Sequence, residues 1–126
     1  MLLGQGEFKY RVVEDWAKLP ENWLFMDVAG VAVNSKDEVH VFNRGRHPMI
    51  IFDIDGNYLR SWGENLFSRP HGIHIGPDDY IYCTDDGDHT VKKIAPDGKL
   101  IFEIGVPGKP SEFMSNLPFH RCTHTA

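Results

Sequence analysis

The chain has 126 residues, 41% of them hydrophobic and 25% charged, with a formal net charge of −5. An acidic chain without a basic stripe makes few phosphate contacts, so nucleic acid is not an expected partner. No apolar run approaches the ~18 residues that span a bilayer, and Met1-Leu2-Leu3-Gly4 is too short for the core of a secretion signal; no membrane partner is expected and a cytoplasmic location is favoured.

The first element in chain order is residues 8–13, where Phe8, Tyr10 and Val12 alternate with polar or outward positions. It reads as a single outer strand, with residues 1–22 forming that strand and a linker. Beyond it the sequence repeats without a gap at a spacing of 42 residues. Gly30 matches Gly72, Asp37 matches Asp79, Gly45 matches Gly87, His47 matches His89, Asp55 matches Asp97, and Gly56 and Gly63 match Gly98 and Gly105.

In the first unit, short apolar runs hold Val31 and Val33, Val39 and Val41, Met49 and Ile51, then Tyr58 and Trp62. In the second they fall at 72–75, 80–84, 90–95 and 100–104. Asn, Asp, Gly and Pro clusters between the runs supply hairpin turns. Four short antiparallel strands at this period describe a blade of a β-propeller, whereas helical repeats of similar period show a stripe at helical spacing. The expected fold is therefore all-β. Residues 23–66 form one blade, 67–117 a second with a longer exit loop, and 118–126 the start of a third. Propellers close with roughly four to eight blades, so the chain reads as the N-terminal part of a longer ring. In that ring the first strand completes the last blade. Left alone, a partial ring exposes blade faces that invite self-association.

The repeat also sorts candidate residues. Positions shared by both units serve the blade; positions that differ are free for chemistry. His47 and His89 repeat and read as structural hydrogen-bonding groups. Asp85, Asp86 and Asp88 lack the spacing of a calcium-binding loop and read as a solvated turn. Cys83 and Cys122 are too few for a disulfide framework or a cysteine zinc site. His71 stands where the first unit has Ala29, just before an innermost strand, and is either a metal ligand or a histidine packed at the blade entrance. Arg44 stands where the second unit has Asp86, and is either functional or a surface arginine. His40 and His74 read as packing residues, and nothing fixes the direction of His120 or His124.

Residues 69–91, from Arg-Pro-His-Gly-Ile to Asp-His-Thr-Val, resemble an NHL repeat, and residues 29–47 resemble the one before it. Together they are similar to the start of the peptidyl-α-hydroxyglycine α-amidating lyase propeller and its bacterial relatives. That resemblance implies a six-bladed ring with zinc held in the channel by histidines from separate blades and calcium bound deeper. It places His71 at the first zinc histidine, Val31 and Ile73 at carbonyl donors to calcium, and Arg44 at an active-site arginine that would also bind substrate. Asn43 and Arg46 depart from the family's His-Arg-Gly-Asp-His motif. The remaining zinc histidines, the catalytic tyrosine and the calcium carboxylate would follow Ala126.

The implied chemistry, cleavage of a carbinolamide into an amide and glyoxylate, needs a hydroxyl deprotonated as its C–N bond breaks. Zinc acidifies a hydroxyl, an arginine holds a carboxylate, and a tyrosine can take the proton. Three functional readings follow. The chain is the N-terminal part of a zinc-dependent lyase acting on a peptide or small molecule and inactive alone, a part of a non-enzymatic NHL binding scaffold, or a complete short chain that closes a ring by self-association.

Overall fold

The computed structural model describes residues Met1–Ala126. It contains ten strands and no helix. β1 (Leu2–Gln5) and β2 (Phe8–Arg11) pair as a hairpin. β3 (Val28–Val33), β4 (Val39–Asn43), β5 (Met49–Phe52) and β6 (Tyr58–Trp62) form a four-stranded antiparallel sheet in chain order. β7 (Pro70–Ile75), β8 (Ile81–Asp85), β9 (Thr90–Ile94) and β10 (Leu100–Ile104) form a second. These two sheets are the two expected blades.

The matched residues of the repeat explain the matched turns. Asp37 and Asp79, Gly56 and Gly98, and Gly63 and Gly105 all carry positive φ, between 59° and 102°. Gly30 and Gly72 answer to a different constraint, the close approach of a neighbouring backbone. A Cβ on Gly30 would come within 2.9 Å of the Ile73 side chain and 3.6 Å of the His71 carbonyl, so β3 and β7 lie side by side.

Alternation along each strand decides what each face buries. On β4, Phe42 joins Met49 and Ile51 against Ile73, Ile81, Cys83 and Ile94, a core shared by the two blades. Burying each such side chain stabilises the fold by roughly 1.5–3 kcal/mol. Val41, Ile50 and Phe52 face the other way, where Trp16, Leu19, Trp23 and Phe25 cover them. This cover is strapped down by polar contacts: Lys18 N–H donates to the Gly56 carbonyl at 2.9 Å, Trp16 Nε1–H to Ile54 at 3.1 Å, and Lys18 Nζ to Asn57 Oδ1 at 2.7 Å.

One expectation, at the N-terminal end, differs from the structure. The N-terminal strand forms but is not single, because the Gly6-Glu7 turn folds Leu2–Gln5 back onto it. A lone strand leaves its backbone groups to water, and the turn gives them a partner. Residues 118–126 contain no strand. Even so, Thr123 and His124 lie against Gly72 as His71 and Ile73 lie against Gly30. The segment thus takes the place beside β7 that β7 takes beside β3.

Candidate functional site

The site is built on one rim of the blade pair, where the β4–β5 and β8–β9 turns meet the chain entering β3 and β7. Each turn is organised by one polar side chain at its mouth. In the first blade, Asn43 Oδ1 accepts from Gly45 N–H at 2.8 Å and Met26 N–H at 3.4 Å, while its Nδ2 donates to His47 O at 2.9 Å. In the second, Asp85 takes the same position. Its carboxylate accepts from Ser68 (2.5 Å), Arg69 (2.9 Å), Gly87 (3.1 Å) and Asp88 (2.9 Å) backbone N–H groups. Asn43 and Asp85 are both fully buried.

The acidic cluster is therefore not a solvated turn. Asp85 is the turn's internal acceptor, and Asp86, 3% exposed, sits 3.1 Å from Arg69 Nε and 3.6 Å from Arg121 Nη2. Asp88 accepts from Gly108 N–H at 2.8 Å and meets the buried Lys92, which also contacts Glu103 at 2.9 Å. Buried carboxylates persist only when such partners replace water.

Arg44 reaches the strand that carries His71. Arg44 Nε donates to the carbonyl of Pro70, the residue before His71, at 3.0 Å. Its Nη1 lies 4.0 Å from Asp27, and its side chain keeps about a third of its surface exposed. With Nε occupied, the outer nitrogens remain donors toward a ligand. His71 Nδ1 lies 3.0 Å from the Thr123 carbonyl. A carbonyl only accepts, so in the neutral ring this contact calls for the proton on Nδ1 and the lone pair on Nε2.

The charge at Arg44 has an internal counterpart that a residue-by-residue reading of the repeat misses. Asp27 corresponds in the repeat to Arg69, and Arg44 to Asp86. The Asp27–Arg44 pair of the first blade is the Arg69–Asp86 pair of the second with its charges exchanged. Thr84 was also missed. It occupies the repeat position of the core residue Phe42, and its hydroxyl bonds Gly72 N–H at 2.7 Å and the Thr123 carbonyl at 2.9 Å.

Val31 and Ile73 sit at matched points of β3 and β7, paired with Val41 and Cys83 respectively. Their apolar side chains leave only backbone carbonyls as donors. His47 and His89 have structural partners, though different ones: His47 stacks on Trp23 at 3.4 Å with Nδ1 2.8 Å from Glu64, whereas His89 Nδ1 accepts from Arg121 N–H. Burial pushes the thiols of Cys83 and Cys122 up, away from the thiolate a nucleophile needs. No three His, Cys, Asp or Glu side chains gather as a metal centre. His71 is one imidazole, not a complete zinc site, although its free Nε2 is the atom a ligand requires.

No protein-family model matches the chain. Among curated proteins it is 33% identical to human NHL repeat-containing protein 3 over 87% of this chain and 34% of that protein. It is 34% identical to mouse peptidyl-glycine alpha-amidating monooxygenase, over 75% of this chain and 12% of the relative. Peptidyl-alpha-hydroxyglycine alpha-amidating lyase 1 of Drosophila melanogaster is 36% identical over 44% of this chain and 11% of that enzyme. The chain is distantly homologous to NHL-repeat proteins and to the amidating lyases, and spans about a third or less of the length of these relatives.

Proposed function

We propose that these two blades belong to a zinc-dependent lyase of the peptidyl-α-hydroxyglycine type, in which Arg44 and His71 stand at one channel mouth. The observation that carries this reading is the Arg44 Nε bond to Pro70, which seats the arginine beside the residue preceding His71. His71 supplies one ligand, with the others and the calcium carboxylate outside these residues. Val31 and Ile73 offer carbonyl oxygens to calcium. Zinc, when bound, supplies Lewis acidity toward the substrate hydroxyl.

Arg44 binds the carboxylate that becomes part of glyoxylate, using the nitrogens not engaged by Pro70. In the reaction the carbinol oxygen loses its proton and forms the aldehyde C=O. The C–N electrons leave with the amide nitrogen, which takes up a proton. The acceptor of the hydroxyl proton is a base outside this chain.

In a longer protein carrying these blades, His71→Ala should lose zinc and activity together, measured by metal analysis and glyoxylate release. Arg44→Ala should lose activity with zinc retained. Full zinc stoichiometry in His71→Ala would overturn the assignment. The reading as a non-enzymatic NHL scaffold is favoured by the exchanged ion pair, which gives Arg44 a structural reason to differ from Asp86. It predicts that neither variant alters zinc content.

A further inference from the structure

Thr84 is fully buried at the place where the first blade has the core residue Phe42. A hydroxyl in that setting needs partners, and it has them. Gly72 N–H donates to Thr84 Oγ1 at 2.7 Å. The Thr84 hydroxyl proton is then free for one acceptor, and the Thr123 carbonyl at 2.9 Å is closer than the Gly72 carbonyl at 3.3 Å. The same Thr123 carbonyl receives the His71 Nδ1 proton at 3.0 Å.

The chain of bonds thus runs from the β7 backbone through Thr84 to Thr123 and ends on His71. Gly72 makes it possible, since a Cβ there would overlap the Thr123 carbonyl oxygen. The first blade has no such chain, because Phe42 carries no hydroxyl and Ala29 stands where His71 does.

We propose that Thr84 is a positioning residue for His71. By fixing the Thr123 carbonyl beside β7, it holds the imidazole as the Nδ1–H tautomer, with the Nε2 lone pair turned outward toward a divalent cation. Histidine ligands to metals are fixed in this way by an acceptor on the second ring nitrogen, and loss of such a partner costs about 10–100-fold in metal affinity. The role rests on reading His71 as a ligand, but the tautomer is measurable without metal.

The test is a long-range proton–nitrogen correlation spectrum of the metal-free 126-residue chain, recorded where the rings are neutral, with His71→Gln identifying the His71 signals. Wild type should show a protonated Nδ1 and an unprotonated Nε2. Thr84→Val should lose that signature and give a mixed tautomer, and Thr84→Ser, which keeps the hydroxyl, should restore it. An Nε2–H or mixed tautomer in wild type overturns the proposal whether or not Thr84→Val folds. So does a folded Thr84→Val that keeps Nδ1–H. Failure of the zinc reading appears elsewhere, as unchanged zinc content in His71→Ala of the longer protein.

Discussion

The two blades share a backbone plan and oppose each other in charge at the rim. The first places its carboxylate, Asp27, in water and its arginine half-buried at 4.0 Å, whereas the second buries the carboxylate, Asp86, to 4% and closes on it with two arginines. In the second rim the carboxylate is the enclosed partner; in the first the arginine is, with its outer nitrogens still available. One scaffold therefore tolerates either polarity, and the difference sets which charge each rim encloses. A second asymmetry lies on the outer faces. Residues 16–25 cover the first blade, while the second leaves a cleft of about 510 Å³ lined by His74, Tyr82, Val91, Ile104 and Phe119 among others.

The sharpest way to break the comparison is at the turn organisers. Asp85→Ala removes a fully buried acceptor of four backbone N–H groups. At about 1–3 kcal/mol for each buried group left unpaired, the loss should exceed about 3 kcal/mol in a denaturant midpoint series. Asp85→Asn, which gives the second blade the chemistry of Asn43, should cost clearly less. Equal losses in both variants would show that the charge, not the acceptor geometry, holds the turn.

The next effect is acid sensitivity at the blade junction. His40 is 1% exposed with neither ring nitrogen hydrogen-bonded, on the face of β4 that Phe42 turns to the second blade. Burial first, then the Arg60 guanidinium, lowers its pKa from 6.5 to about 4, against the opposing pull of Glu38 and Asp79. The unfolded chain thus takes up this proton before the folded one. Stability is complete above pH 6.5 and falls as the pH drops toward about 4, by roughly 3 kcal/mol in all. Glu38, bound by Arg60 and lowered from 4.5 to about 2, adds a loss only at lower pH. Denaturation of wild type and His40→Leu across this range should show a slope in the first and a flatter profile in the second.

Smaller in energy but more pointed is the double exchange Asp27→Arg with Arg44→Asp, which gives the first blade the polarity of the second. Exposed ion pairs contribute about 0–1 kcal/mol and the lost Arg44–Pro70 bond about 0.5–1.5 kcal/mol, so the loss of stability should stay below that of Asp85→Ala. Binding of a carboxylate ligand in a longer protein should be lost. Retained binding would separate Arg44 from the site.

The open face gives the last test. The chain should self-associate at micromolar concentration in light scattering, and Ile104→Lys, on the uncovered side of the second blade, should lower the apparent mass. A stable wild-type monomer contradicts this.

The blades were legible in the sequence because their turns demand particular residues: Asp37, Gly56, Gly63 and their repeats adopt positive φ, which few side chains tolerate. The hairpin partner Leu2–Gln5 was not, since nothing in its side chains alternates toward a core and all four are exposed. At the rim, reading one position at a time made Arg44 an outlier. Its exchange with Asp86 is visible only when Asp27 and Arg69 are read with it, residues remote in sequence and joined by folding. Asp85 misled for a related reason, as an acidic run looks solvated until the backbone amides that converge on it are known. Thr84 differed from Phe42 in plain sight, but a threonine in a strand carries no sign of which carbonyl it will find.

The cover on the first blade bears on the order in which the molecule is made. Its straps to Ile54, Gly56 and Asn57 all lie ahead of the second blade in the chain, so that blade can shut its outer face without any residue of the second. The second blade has no such cover and leans on a neighbour already in place. Growth from a finished end is how quasi-linear arrays propagate, and it makes residues 16–62 the segment whose amides should exchange most slowly with solvent.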